Sequence, residues 1–203
     1  MQGQLFIISA PSGTGKSTVV NELRKRVDKI GYSISHTSRK PRNTERDGTD
    51  YYFVEREEFV KMIDSGAFAE WVEVYNDLYG TSFSALNEQT ANDSDVILDI
   101  DVQGARKIRN NYKNAVLIYL LPPSLEMLET RLRLRGTDDE AIINKRVNKA
   151  ADEIRNCLWY DYIIVNDDLE KAIAEAEAII ISERCKTGRR LPGIKHHFNI
   201  SFS

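Results

Sequence analysis

Cysteine is scarce in this 203-residue chain: Cys157 and Cys185 are the two it has. They fit no metal-ligand spacing and make a poor disulfide framework, so reduced thiols in a cytoplasmic protein are expected. No apolar run approaches the ~20 residues of a membrane-spanning helix. The first residues lack the basic segment, apolar core and cleavage site of a secretory signal. A basic excess is missing too. The formal net charge is −3, so no global field recruits nucleic acid or an anionic membrane, and any anion must be met by local Arg and Lys clusters. The three histidines, His36, His196 and His197, have no Cys or acidic partners at ligand spacing, which argues against a metal site. No internal repeat or low-complexity segment occurs. With 41% hydrophobic and 29% charged residues, the chain reads as one soluble domain large enough for a sizeable core and insertions.

What is present starts with Ala10-Pro11-Ser12-Gly13-Thr14-Gly15-Lys16-Ser17-Thr18. It follows Leu5-Phe6-Ile7-Ile8, a short buried strand by its apolar run. It precedes Val19, Val20, Leu23, Val27 and Ile30, which share one helical face. Strand, Gly-rich loop and helix in that order make a phosphate-binding loop, with backbone N–H groups facing an anion at the positive end of the new helix. Lys16 can reach the β- and γ-phosphates, and the Ser17 hydroxyl can ligate Mg²⁺. Ala10 replaces the motif's first Gly, and a negative φ is expected there.

Further along, Ser33 to Arg39 reads as a strand leading away from the core, and residues 39–50 as a polar loop. Tyr51–Val54 is a strand, Arg56 to Asp64 a helix stopped at Ser65-Gly66, and Phe68 to Tyr75 and Leu78 to Ser82 a strand pair around Asn76-Asp77. Strands crowded this closely suggest a small antiparallel subdomain at about residues 33–85. Buried strands follow at Val96–Asp101, Val116–Leu121 and Tyr162–Val165. Between the last two, Ser124 caps a helix with Leu125, Leu128 and Leu132 on one face, ended by Gly136. Asp138-Asp139-Glu140 opens another, whose apolar positions run through Ile142, Ile143, Val147, Ala150, Ile154 and Leu158. Asp167 with Glu170 resembles a capping box for a last helix carrying Ile173, Ala176, Ile180 and Ile181. Phe198, Ile200 and Phe202 alternate in the basic tail, which reads either as a docking strand or as a loose terminus.

Three groups carry chemistry. Asp99 and Asp101 end an apolar strand, where carboxylates lie beside the phosphates and orient Mg²⁺ waters or meet a second substrate; a plain strand end has the same pattern. Ser35, Arg39, Arg42, Tyr51, Glu70, Tyr79 and Thr81 fall in the small subdomain. Two Arg three apart with nearby Tyr hydroxyls suit a dianionic phosphate, and a solvated loop would look alike. Arg131 and Arg135 share a helical face, and Arg146 is on the next helix. A basic surface is the default for such a run, and Arg133 and Lys145 are assigned to it.

Taken together, SAPSGTGKST, SHTSRKPR, the pair Glu70-Trp71, YGTS, ILDIDVQGA, RLRLRGT and VNDD resemble guanylate kinase in order, over nearly the whole chain to about Arg184. The resemblance implies an α/β fold: a three-layer P-loop core with a parallel sheet (1–32, 86–124 and 151–203), a small mixed or antiparallel GMP-binding subdomain (33–85) and a helical lid (125–150). It implies Mg²⁺-dependent phosphoryl transfer from ATP to GMP. The partners are then these small molecules, with use of dGMP left open, and neither nucleic acid nor membrane. Glu70 and Asp101 match the family positions that accept from guanine N1–H and its 2-amino group, and Ser35 and Thr81 those that donate to O6 and N7. Thr81 stands where some members have Ser. Arg39, Arg42, Tyr51 and Tyr79 match the acceptor-phosphate clamp, with Asp99 near it and the metal's waters. Lys16, Arg131, Arg135 and Arg146 match the groups that stabilise the transferring phosphoryl. Asn166 and Asp167 are expected near the adenine, and Trp71 as a brace of the base pocket. The resemblance also covers scaffold domains that lack a working phosphate loop, and other monophosphate kinases; Lys16, Ser17 and the lid arginines argue against the first, Glu70 and Asp101 against the second.

Overall fold

The apolar run at residues 5–8 lies in the middle of a parallel sheet, and the two-residue period of a strand divides its side chains between two cores. The computed structural model describes residues 3–42, 44–74, 76–91, 94–136 and 139–198. In chain order these form β1 (Leu5–Ser9), α1 (Lys16–Arg26), β2 (Ile30–Tyr32), β3 (His36–Thr37), β4 (Tyr52–Phe53), α2 (Arg56–Asp64), β5 (Phe68–Val74), β6 (Asp77–Ser82) and α3 (Phe83–Ala91). Then come β7 (Asp95–Asp99), α4 (Val102–Asn111), β8 (Val116–Leu121), α5 (Leu125–Arg135), α6 (Glu140–Ile154), a 3₁₀ turn at Arg155–Trp159, β9 (Tyr162–Val165), α7 (Leu169–Cys185) and α8 (Thr187–Phe198).

The main sheet has the order β2-β7-β1-β8-β9, and each recorded pairing is parallel. Phe6 and Ile8 point to one face, where Val19, Val20 and Leu23 of α1 and Ile173, Ala176 and Ile180 of α7 bury them. Leu5 and Ile7 point to the other, against Leu86 of α3 and Ala105 and Ile108 of α4. Three layers follow directly from a strand that is apolar on both faces. A second sheet, order β4-β3-β6-β5, carries its own cluster around Phe59, Phe68 and Leu78. Helices α5 and α6 form a hairpin with a third small core of Leu128, Leu132, Ile143 and Ala150.

Several local expectations are corrected. Ile30 keeps helical spacing from α1 but belongs to β2, because the helix ends at Arg26 and Lys29 turns with φ 53. The expected strand over Ser33 to Arg39 shrinks to His36–Thr37, since Ser33 N–H still bonds Ile97 in the main sheet. Of the two forms expected for the small sheet, mixed or antiparallel, it takes the mixed one: β3 pairs parallel with β4 and antiparallel with β6. The strand at 96–101 stops at Asp99, and Asp101 is instead the N-cap of α4. Helices α3 and α4 have few fully buried apolar positions and escape a periodicity reading. Helix α3 also crosses the expected subdomain boundary near residue 85. Leu158 lies in the 3₁₀ turn and is 87% exposed, not on the buried face of α6. The cap of α7 is Asp168, accepting from Lys171 N–H, rather than Asp167. Up to Phe198 the tail is helix, not strand; Ile200 and Phe202 lie outside the described residues.

One buried carboxylate ties the C-terminal helices to the sheet. Asp95, at the start of β7, accepts from Arg184 Nε (2.7 Å), Arg189 Nη2 (2.8 Å) and Gln4 N–H (2.7 Å). Burial pushes its pKa up, but the bonds from Arg184, Gln4 and Arg189 outweigh that and hold it below the ordinary range. A depressed folded pKa adds stability above the unfolded pKa that is lost as pH falls through the folded one. Asp95→Ala strands two half-buried guanidinium groups and is expected to cost about 3 kcal/mol at pH 7, read by urea unfolding. A loss under about 0.5 kcal/mol would mean that water replaces the carboxylate.

Candidate active site

The phosphate loop runs from the end of β1 into α1. Gly13 and Gly15 have φ 91 and 98, the left-handed region that a side chain disfavours. A Cβ on Gly13 would also stand 2.8 Å from Leu132 Cδ2, so α5 packs directly on the loop. Ala10 is not among the described positive-φ residues, as expected. Thr14 is fully buried and anchors the loop: its carbonyl accepts from Asn166 Nδ2 at 2.7 Å and Arg131 Nη1 at 3.3 Å. Pro11 is buried, while Ser12, Ser17 and Thr18 are exposed. The first N–H groups of α1 have no intrahelical acceptor and are open to an anion. Lys16 heads the helix; its Nζ sits 2.5 Å from Asp99 Oδ1 and 3.3 Å from the Ile100 carbonyl. The cation is therefore held between the loop and the end of β7.

Beside it lies a cleft of ≈ 270 Å³ bordered by Ser17, Asp99, Arg39, Arg42, Tyr79 and Arg135. It brings together residues from α1, β7, the small subdomain and α5. Arg39 is gripped by Glu45 in a two-pronged pair, 2.9 and 2.8 Å, and Glu45 also accepts from Arg42 N–H. The Glu45 bond, helped by Tyr79, keeps the Arg39 guanidinium firmly protonated. Arg39 lies 5.5 Å from the centre of the Tyr51 ring, which meets the Tyr79 ring edge-on at 6.0 Å. Burial, then the Asp99 charge, push the Tyr51 hydroxyl up to about 12, so it stays a donor. Two Arg and two Tyr converge on this cleft, a donor set that suits a phosphate dianion.

The carboxylates Glu70 and Asp101 lie elsewhere in the same subdomain–core junction. Glu70, on β5, is 3% exposed and accepts from Thr81 Oγ1 at 2.7 Å across the β5–β6 pair. Burial, with a lesser push from the Asp101 charge, raises its pKa to about 7 against the Thr81 bond. Asp101 accepts from Gly104 N–H at 2.8 Å. Ser35 precedes β3, half-buried, its carbonyl accepting from Tyr52 N–H. Behind Glu70, the Lys107 ammonium lies 4.5 Å over the Trp71 ring and donates to the Trp71 carbonyl. A buried acceptor such as Glu70, with half-buried Asp101 near it, favours donors in whatever enters.

The family model for guanylate kinase matches residues 2–183. The chain belongs to the guanylate kinase family. It is 45% identical over 199 residues to a guanylate kinase of Geobacter metallireducens, covering 98% of each chain. It is 48% identical over 188 residues to that of Carboxydothermus hydrogenoformans, covering 93% of this chain and 92% of the relative. The crystal structure of guanylate kinase from Anaplasma phagocytophilum superposes with a TM-score of 0.80 at 33% identity, covering 99% of this chain and 98% of that one. Among the described residues no helix is long and apolar enough to cross a membrane.

The guanylate kinase fold thus draws together most of the positions singled out in the sequence, with differences in detail. Arg135 reaches the cleft, but Arg131 spends its fork on the Thr14 and Asn166 carbonyls, at 3.3 and 2.9 Å. Arg146 Nη1 stands 3.5 Å from Ser12 Oγ at the loop's mouth. Arg133 pairs with Glu129 and Glu140 on the surface, as a solvated position should. Asn166 does not turn its amide toward an open nucleotide face; it is buried and braces Thr14. Asp167 stays exposed at the end of β9, free of the capping duty that Asp168 performs. His36 packs between the Tyr52 and Phe68 rings, at 4.9 and 5.7 Å. The sequence reading passed over Glu45, and also Asn21, Arg24 and Tyr32, which line the cleft. Glu45 has a local signal, an acid in a loop with two Arg; the others come from α1 and β2 and carry none.

Proposed function

We propose that the chain transfers the γ-phosphoryl group of ATP to GMP, reversibly, giving ADP and GDP. The observation that carries this is a carboxylate pair, buried Glu70 and half-buried Asp101, set apart from an Arg- and Tyr-lined cleft that reaches Asp99, the partner of Lys16. Guanine offers N1–H and a 2-amino group on its pairing edge, and two carboxylates accept from both. Adenine offers a bare N1 there and would leave a buried carboxylate unpaired, at a cost of about 1–3 kcal/mol. Ser35 and Thr81 carry the hydroxyls for O6 and N7; the one Thr81 hydrogen, donated to Glu70 in this structure, turns to the base when guanine N–H groups take its place on Glu70. Arg39, Arg42, Tyr51 and Tyr79 hold the GMP phosphate, with Glu45 keeping Arg39 aimed.

The loop from Ala10 to Thr18 holds the ATP phosphates through backbone N–H groups, with Asn166 bracing it through Thr14. Lys16 and Arg135 then flank the space between donor and acceptor, and Arg146 enters from the α6 side. Arg131 acts through the loop it grips in this state. Asp167 is the remaining polar group for the nucleotide's base end. No nucleophile from the protein is required, since positioning and charge stabilisation suffice for phosphoryl transfer. The donor set fits Mg²⁺: the Ser17 hydroxyl and Asp99 carboxylate are hard oxygen donors at one cleft. Mg²⁺ bound there would neutralise phosphate charge as it develops. The three parts, core, subdomain 33–85 and hairpin 125–150, are read as closing on each other around both substrates.

A coupled ADP-release assay with GMP, AMP, UMP and dTMP tests the reading. Turnover is expected with GMP at least ~10²-fold above the others in kcat/KM. Absence of turnover with GMP would overturn it.

A further inference from the structure

Gly104 occupies the first turn of α4 and is buried. Its N–H donates to Asp101 Oδ1 at 2.8 Å. A Cβ added to it would stand 2.7 Å from Glu70 Oε2, 3.2 Å from Glu70 Cδ and 3.4 Å from Ile100 Cδ1. One residue therefore touches both acids, holding Asp101 by its amide and admitting Glu70 by having no side chain.

The backbone does not call for glycine at this position: its φ lies outside the left-handed region. Helix preference argues for Ala, which loses less freedom there than Gly. What excludes a side chain is the carboxylate arriving from β5. Glu70 has little room to give way, because Thr81 Oγ1 fixes its other oxygen at 2.7 Å and only 3% of the residue is exposed. A methyl at 104 would drive its carboxylate several tenths of an ångström from its seat.

We propose that Gly104 is a positioning residue that sets the spacing of the Glu70 and Asp101 carboxylates, and through it the preference for guanine. This rests on reading those two carboxylates as the base-contacting pair. Gly104 never touches the substrate; it decides where one acceptor stands relative to the other. Hydrogen bonds weaken steeply with misalignment, so a shift of this size is felt in guanine affinity and not at the donor site.

The test is steady-state kinetics of the full chain with GMP and AMP at saturating MgATP, for Gly104→Ala, Glu70→Asp and the double variant. Gly104→Ala is expected to raise KM for GMP about tenfold, with kcat and KM for ATP within about twofold. Glu70→Asp shortens the acid and vacates the contested space. Adding Gly104→Ala to it should then change KM for GMP by less than about twofold. If the single variant has a lowered thermal midpoint, the double variant restores it, since the clash is with Glu70. An unchanged KM in Gly104→Ala overturns the proposal. So does the same loss in both backgrounds, which would place the effect away from Glu70. Failure of the underlying reading shows separately: Glu70→Gln would then keep the full preference of GMP over AMP.

Discussion

Lys16→Met is expected to lower kcat by at least ~10³-fold while the protein still folds and still binds GMP. Methionine keeps the length and apolar stem of the side chain and removes the ammonium. That ammonium heads α1, 2.5 Å from Asp99 and 3.3 Å from the Ile100 carbonyl. From there it is poised for phosphates held by the loop, where a point charge acts on the developing negative charge. Its pairing with Asp99 is partly solvated, with the two side chains 20% and 15% exposed. Losing that pair should weaken GMP binding less than about fivefold, measured by calorimetry without ATP. Loss of GMP binding by the folded variant would show that Lys16 serves the acceptor site directly.

Glu70→Gln is the second large effect, and it reads out in three ways. An amide presents one acceptor and one donor where guanine brings two donors, so preference for GMP over AMP is expected to fall ~10–10²-fold. Burial raises the Glu70 pKa to about 7. With the ionised form as the acceptor, kcat/KM for GMP in the parent should fall about tenfold per pH unit below 7. The Gln variant should lose that dependence. Stability moves in the opposite sense. A folded pKa above the ordinary 4.5 favours the protonated form, so the contribution of Glu70 is fully present below 4.5 and lost as pH rises through about 7. The difference corresponds to about 3 kcal/mol. The Gln variant should therefore be more stable than the parent at pH 8, with the advantage shrinking toward pH 5. Unchanged base preference together with an unchanged pH profile would remove Glu70 from the base pocket, whatever its effect on stability.

Much of this site was legible along the chain because its parts are local. The phosphate loop needs a strand, a turn of glycines, a lysine and a helix start within residues 5–20, and all are contiguous. Helix α2 and the α5 caps are set by neighbours within four residues, and their ends came out where Ser124 and Gly136 put them. Helices α3 and α4 were not legible. Each buries a narrow stripe, and α4 begins at an aspartate that also ends a strand-like run. Strand β2 was masked because Val27 and Ile30 happen to continue a helical spacing, while the chain reverses at Lys29 without a glycine to announce it.

By itself the sequence determined the alternation of elements, the apolar strands buried on both faces, and the identity of the charged groups, because these depend on periodicity and residue chemistry. Only the tertiary structure decided which charges meet. Arg39 finds Glu45, Arg131 grips the phosphate loop, Asn166 turns inward to Thr14, and Glu70 comes to rest on Gly104. A side chain's partner is set by long-range packing, which brings together residues separated by 34 positions for Glu70 and Gly104 and by 152 for Asn166 and Thr14. No local pattern encodes such distances, so the residues of the site were readable while their alliances were not.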